Sequence, residues 1–319
     1  MTDTPRTWTA EDYHRHLDDD VKAFIATSDS FYPEDKTDVP IPERRDMYEA
    51  LCAHFRTENL PAIDIEDAVI SDPRSDIPLR RYKPQGWHKA KAQILFFHGG
   101  GYVLGSLETH HDLCVQVADA TGMMLTAVDY ALSPERPFPH DWQDAMAAFE
   151  HAAASSSLPI VTFGDSAGAN LAAAVCHENR HHERAPIGQV LVYPGLGSDL
   201  TQGSFVEHAD SPGLTTAGTT DYKLYRSGGE MWRLADPKAS PLNATDFTAL
   251  PPTVVFSAEC DPLRDDGRLY CEKVNDSGGS ARYVEEAGLI HGYLRARHAG
   301  GKAGRSFANI CKALFELAD

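Results

Sequence analysis

The segment Gly164-Asp165-Ser166-Ala167-Gly168 holds the residue best placed to do chemistry, a serine between glycines in the pattern G-x-S-x-G. The run at residues 159–163 before it has strand character, and residues 170–175 after it read as a buried helix. A serine on a sharp strand-to-helix turn stands above the sheet edge, where its hydroxyl can attack a carbonyl. Flanking glycines keep Cβ atoms out of such a turn. The pentapeptide alone is common in proteins, and its strand and helix flanks give it meaning.

A serine hydroxyl is a weak nucleophile at neutral pH. It needs a base, a group to orient that base, and donors for the oxyanion that forms. On a turn of this kind the chain order is serine, acid, histidine. The strand-like run 253–257 leads into Ala258-Glu259-Cys260-Asp261-Pro262-Leu263-Arg264-Asp265. Asp261 is the leading acid, because it lies in the loop before a proline that stops the strand. Glu259 is still at the strand end, and Asp265 suits the cap or first turn of the next helix. The base is expected after the last strand, where Ala287-Gly288-Leu289-Ile290-His291-Gly292-Tyr293 supplies His291. The chain has 15 histidines, so position decides. His181 and His182 sit in a polar loop and read as solvent-facing, whereas His291 is flanked by apolar residues and a glycine. Backbone donors come from two places: the N–H of Ala167 at a helix N-terminus, and the loop Gly99-Gly100-Gly101 after a buried strand. A phosphate-binding reading of that triplet is weak, since no G-K-[ST] follows and no G-x-G-x-x-G opens a helix.

The elements that must position these groups alternate between strand and helix. Strands are expected at residues 65–70, 77–82, 92–97, 123–128, 160–163, 187–193, 253–257 and 281–284, the first two joined by the turn-rich segment 71–76. Helices are expected over the apolar positions Trp8 to Ile25, then at 42–57, 141–154, 264–275 and, as a closing amphipathic helix, 307–317. The alternation predicts an α/β fold with a mostly parallel central sheet and helices on both faces. Residues 61–319 would form the catalytic domain. Residues 1–60 read as the N-terminal part of a helical cap, and the Gly-, Ser- and Thr-rich stretch 195–236 as an insertion completing it. Trp8, Phe24, Tyr222 and Trp232 either line a pocket under that cap or pack the cap onto the body.

The 319 residues carry a net charge of −18 from 29 basic and 47 acidic residues. Such a surface argues against nucleic acid and anionic membranes as partners. The six cysteines, Cys52, Cys114, Cys176, Cys260, Cys271 and Cys311, form no C-x-x-C pair and read as buried thiols in a reducing compartment. The N-terminus shows neither a basic segment nor an apolar one, and no run of about 18 apolar residues occurs, so a cytoplasmic location without a membrane span is expected.

The chain resembles the hormone-sensitive-lipase-like esterases (bacterial family IV) of the α/β-hydrolase fold. The resemblance rests on His98-Gly99-Gly100-Gly101-Tyr102, Gly164-Asp165-Ser166-Ala167-Gly168-Ala169-Asn170, Asp261-Pro262-Leu263-Arg264-Asp265 and His291-Gly292-Tyr293, with Asp129 to Pro139 as a further matching stretch. It covers residues 65–319. Ala169 stands where many members have glycine, and Ala131 and Ser133 replace commoner residues. The resemblance implies Ser166 as nucleophile, His291 as base, Asp261 as orienting acid, and Gly100, Gly101 and Ala167 as oxyanion donors. His98 would hold the glycine loop. It also implies a short- to medium-chain acyl ester as substrate, no metal or organic cofactor, and a homodimer through the edge of the last strand. The same triad could cleave an amide or lactone or transfer an acyl group, because the pocket chooses the leaving group. Non-catalytic ligand receptors on this scaffold lack the histidine that this chain keeps.

Overall fold

The computed structural model describes residues 6–33 and 39–319. Residues 1–5, on which part of the N-terminal reading rests, lie outside the described residues.

Among the described residues, eight strands form one sheet: β1 (Asp64–Ile70), β2 (Ile77–Lys83), β3 (Gln93–Phe97), β4 (Leu125–Val128), β5 (Ile160–Asp165), β6 (Gly188–Val192), β7 (Thr253–Cys260) and β8 (Ala281–Ile290). Their order across the sheet is β1-β2-β4-β3-β5-β6-β7-β8. β2 runs antiparallel to both neighbours, and every other neighbouring pair is parallel. Strands β3 to β6 are buried at every position, as continuous apolar runs must be when helices cover both faces.

Among the described residues, ten α-helices surround the sheet: α1 (Ala10–His16), α2 (Asp19–Asp29), α3 (Ile41–Phe55), α4 (His111–Thr121), α5 (His140–Ser155), α6 (Ala167–Asn179), α7 (Ser204–Glu207), α8 (Thr216–Arg226), α9 (Arg264–Asp276) and α10 (Gly301–Leu317). Alternate strand residues feed two cores. Ile94, Phe96, Val161, Phe163 and Val190 pack with Val117 of α4 and Ile310 and Leu314 of α10. Leu95, Phe97, Ile160 and Leu191 pack with Phe149 of α5, Leu171 of α6 and Tyr270 of α9. The two-residue period of a strand sends successive side chains to opposite faces, which is why one apolar run serves two layers.

Three elements differ from the sequence reading. The apolar and polar positions of 111–121 form α4, closed by Gly122 at φ 68°. The last strand runs on to Ile290 instead of stopping at 284, because a bulge opposite Glu259 lets Cys260 pair with Ile290. The closing helix begins at Gly301. The six cysteines are all free and buried.

The N-terminal helices are fastened to the rest by hydrogen bonds as well as by packing Leu17, Val21 and Phe24 into the core. Thr9 and Asp12 form a capping box on α1. The Trp8 N–H donates to the Glu207 carbonyl at 2.8 Å, and Tyr13 Oη lies 3.0 Å from His208 Nδ1. Arg45 of α3 donates to the Val103 carbonyl at 2.9 Å. Among the described residues, no helix is long and apolar enough to cross a membrane.

Candidate active site

Ser166 sits between the end of β5 and the start of α6 with φ 53° and ψ −118°. The left-handed strain falls on the serine itself. Gly164 and Gly168 are needed for a different reason, close packing. A Cβ on Gly164 would lie less than 3.0 Å from the backbone of Gly168, and one on Gly168 would overlap the carbonyl of Phe97. The serine N–H donates to the Val192 carbonyl at 2.9 Å, which pins the turn to the neighbouring strand.

The three residues expected to act together converge. Ser166 Oγ lies 2.9 Å from His291 Nε2, and His291 Nδ1 lies 2.7 Å from Asp261 Oδ2. Asp261 is fully buried, and its other oxygen accepts the Leu263 N–H at 2.9 Å. With one oxygen on a backbone donor and one on the imidazole, the carboxylate can hold the ring in the tautomer that leaves Nε2 facing the serine. The other two acids have different places. Glu259 stays in β7 and accepts the Gly288 N–H at 2.6 Å and a hydrogen bond from His16 at 2.8 Å. Asp265 lies in the first turn of α9 and accepts the Ser204 N–H at 3.0 Å.

The glycine loop follows β3 directly. Gly100 has φ 131° and Gly101 φ 62°, conformations that suit glycine. A Cβ on Gly101 would meet the ring of Tyr222, so the loop and α8 are in close register. His98 is buried, with Nδ1 2.8 Å from the Gly99 carbonyl, and its ring stacks on Tyr130 at 4.4 Å. Burial, with His110 beside it, pushes its pKa down to about 3, so the ring braces the loop as a neutral group. Gly100, Gly101, Ser166, Ala167 and His291 line one cavity of about 680 Å³.

A family model described as the alpha/beta hydrolase fold matches residues 94–295. The chain belongs to the α/β-hydrolase family. Within that family it falls in the hormone-sensitive-lipase-like branch, as a carboxylesterase-like hydrolase. The carboxylesterase NlhH of Mycobacterium tuberculosis is 34% identical to it over 272 residues, 81% of this chain and 85% of the relative. The carboxylic ester hydrolase LipN of the same organism is 32% identical over 280 residues, 82% of this chain and 74% of the relative. Among solved structures, the hyperthermophilic esterase from the archaeon Pyrobaculum calidifontis superposes with a TM-score of 0.87 at 29% identity, covering 95% of this chain and 99% of that one.

Several residues of this α/β-hydrolase site escaped the sequence reading. Asp165, a variable position of the pentapeptide, accepts the Gly99 N–H at 2.8 Å and the Tyr193 hydroxyl at 3.3 Å. Burial would raise its pKa, but His110, Arg295 and the Gly99 N–H outweigh that and hold it at about 2. The carboxylate therefore ties the glycine loop to the serine turn. Tyr193 packs its ring 4.7 Å from that of His291. Arg295 donates to the Thr109 carbonyl at 3.0 Å and to the Tyr48 hydroxyl at 2.8 Å, joining α3 to the segment after His291. None of these had a local signal, because each pairing joins positions far apart in the chain.

The four aromatic residues singled out from the sequence part company. Phe24 and Tyr222 line the cavity. Trp8 packs on Tyr13 and His208 outside it. Trp232 is 73% exposed and does neither.

Proposed function

We propose that the protein hydrolyses short- to medium-chain acyl esters through a covalent acyl-enzyme on Ser166. The reading is carried by one observation, the continuous chain from Ser166 Oγ to His291 at 2.9 Å and from His291 to Asp261 at 2.7 Å. His291 takes the serine proton as Oγ attacks the ester carbonyl. The N–H groups of Gly100, Gly101 and Ala167 receive the negative charge that develops on the carbonyl oxygen. His291 returns the proton to the departing alcohol, then takes one from water as that water attacks the acyl-enzyme. Asp261 stabilises the imidazolium formed in each half-reaction.

The helices of residues 1–60 and the insertion 195–236 act as a cap. Support comes from the cavity walls, to which α2, α3 and α8 contribute Phe24, Leu51 and Tyr222. A cavity of this size suits modest acyl and alcohol groups. The names of the relatives NlhH and LipN support ester hydrolysis itself.

Ser166→Ala tests the reading. Hydrolysis of an activated acetate or butyrate ester should fall by about 10⁶-fold in kcat, as for other serine hydrolases, with circular dichroism unchanged. Retention of full activity would overturn it. Comparing acyl lengths with wild-type protein tests the chain-length assignment, which a preference for insoluble long-chain esters would reverse.

A further inference from the structure

The inner face of α8 carries a cation, Lys223, with no ion-pair partner among the described residues. Along this helix Thr219 and Arg226 are buried, while Thr220, Asp221 and Leu224 are exposed. Lys223 follows Thr219 by four residues and so falls on the inner stripe, where it lines the cavity that holds Ser166. A surface lysine normally keeps its ammonium in water. Here burial pushes its pKa down, against the opposing influence of Asp266 and Asp199. The neighbouring cation, Arg226, is neutralised by Asp141 at 2.7 Å and stacks on Tyr102. Lys223 has no such arrangement. Among the described residues no carboxylate lies within 4.0 Å of its ammonium, which stands 5.7 Å from the centre of the Phe205 ring.

Asp266 of α9 lines the same cavity and is 1% exposed. One of its oxygens accepts the backbone N–H groups of Leu196 and Gly197. Lys223 and Asp266 thus influence each other's charge while standing farther apart than an ion pair. An alkyl group at this end would leave both poorly solvated. A carboxylate would suit Lys223 and be opposed by Asp266. A hydroxyl satisfies both, since it accepts from an ammonium and donates to a carboxylate. Thr215 and Ser240 line the same cavity.

We propose that this end of the cavity is a hydroxyl-binding subsite, and that the ester substrate carries a hydroxyl group that accepts from Lys223 and donates to Asp266. The proposal rests on the ester-hydrolase reading of Ser166. The hydroxyl could belong to the acyl chain or to the alcohol, and two arms of one experiment separate these. The acyl arm compares kcat/KM for ethyl butanoate and ethyl hydroxybutanoate. The alcohol arm compares propyl acetate and glycerol monoacetate. Competent sites are counted by stoichiometric reaction of Ser166 with diethyl nitrophenyl phosphate.

In one arm the hydroxylated ester should be preferred by about ten- to a hundredfold, the usual worth of a hydrogen bond to a charged group. Lys223→Met should bring that ratio close to one. Lys223→Gln, which keeps a polar side chain, should lower it as well and serves if the methionine variant does not fold. Equal rates within both arms, or a preference that survives both substitutions, would overturn the proposal while leaving the esterase reading intact. If wild type hydrolyses none of the four esters and does not react with the phosphate, the esterase reading fails and the subsite falls with it.

Discussion

The Glu259 carboxylate accepts the backbone N–H of Gly288 at 2.6 Å, and so joins the end of β7 to the end of β8. Those two strands deliver Asp261 and His291. The bond sits at the bulge where the register of the pair shifts, two residues before Asp261 and three before His291. Glu259→Ala should leave KM nearly unchanged and lower kcat by about ten- to a hundredfold, because small displacements of a catalytic pair are costly. Glu259→Gln keeps an acceptor and should recover part of the loss. Steady-state kinetics on both variants checks this, and equal activity in the alanine variant would refute a positioning role.

Gly168 packs against the carbonyls of Phe97 and His98 so closely that a methyl group there would overlap them. Gly168→Ala should therefore push α6 away from β3 and lower stability by about 1–3 kcal/mol, as overpacking of a core does. Urea unfolding should show the midpoint falling with the m-value unchanged. A variant as stable as wild type would mean that the helix shifts freely.

Gly101 has φ 62° and faces the Tyr222 ring. Gly101→Ala should displace the loop and weaken the proposed oxyanion site, lowering kcat by about 10²–10³-fold. Binding of an uncharged substrate analogue should change far less than kcat. A loss confined to KM would place the effect in substrate binding.

His98 supplies a pH dependence of stability. Its pKa is lowered in the folded state from 6.5 to about 3, first by burial and then by His110. The unfolded chain binds a proton at His98 below pH 6.5 and the folded chain does not. The stabilising contribution is complete above pH 6.5 and declines as the pH falls towards about 3. His98→Phe should flatten the stability profile between pH 6.5 and 4 relative to wild type. Parallel profiles from chemical denaturation would show that His98 takes up its proton without unfolding.

Much of the proposed catalytic arrangement was legible because it is written in local patterns. Ser166 announces itself by its glycines and by the strand and helix around it. Asp261 follows from a strand that ends at a proline, and His291 from an apolar, glycine-flanked setting. The strand and helix alternation gave the layer order, since burial on both faces demands continuous apolar strands. Boundaries were less legible. The extension of β8 to Ile290 runs through a register shift in which residues 286–290 of β8 span only 258–260 of β7. That pairing depends on both strands and cannot be read from β8 alone.

By its sequence alone this protein is determined as an α/β chain with a serine, an acid and a histidine in the chain order the proposed triad needs, together with a glycine loop. Those features depend on a few neighbouring residues and on hydrophobic periodicity. Tertiary structure alone decided that Asp165 ties the glycine loop to the serine turn and that Glu259 joins the strands carrying acid and base. It also decided that Lys223 and Asp266 share the wall of the cavity holding Ser166. The physical reason is common to all three. Each is a polar contact or shared surface between residues at least 29 positions apart, and its energy depends on burial and distance, which exist only once the sheet has brought the segments together.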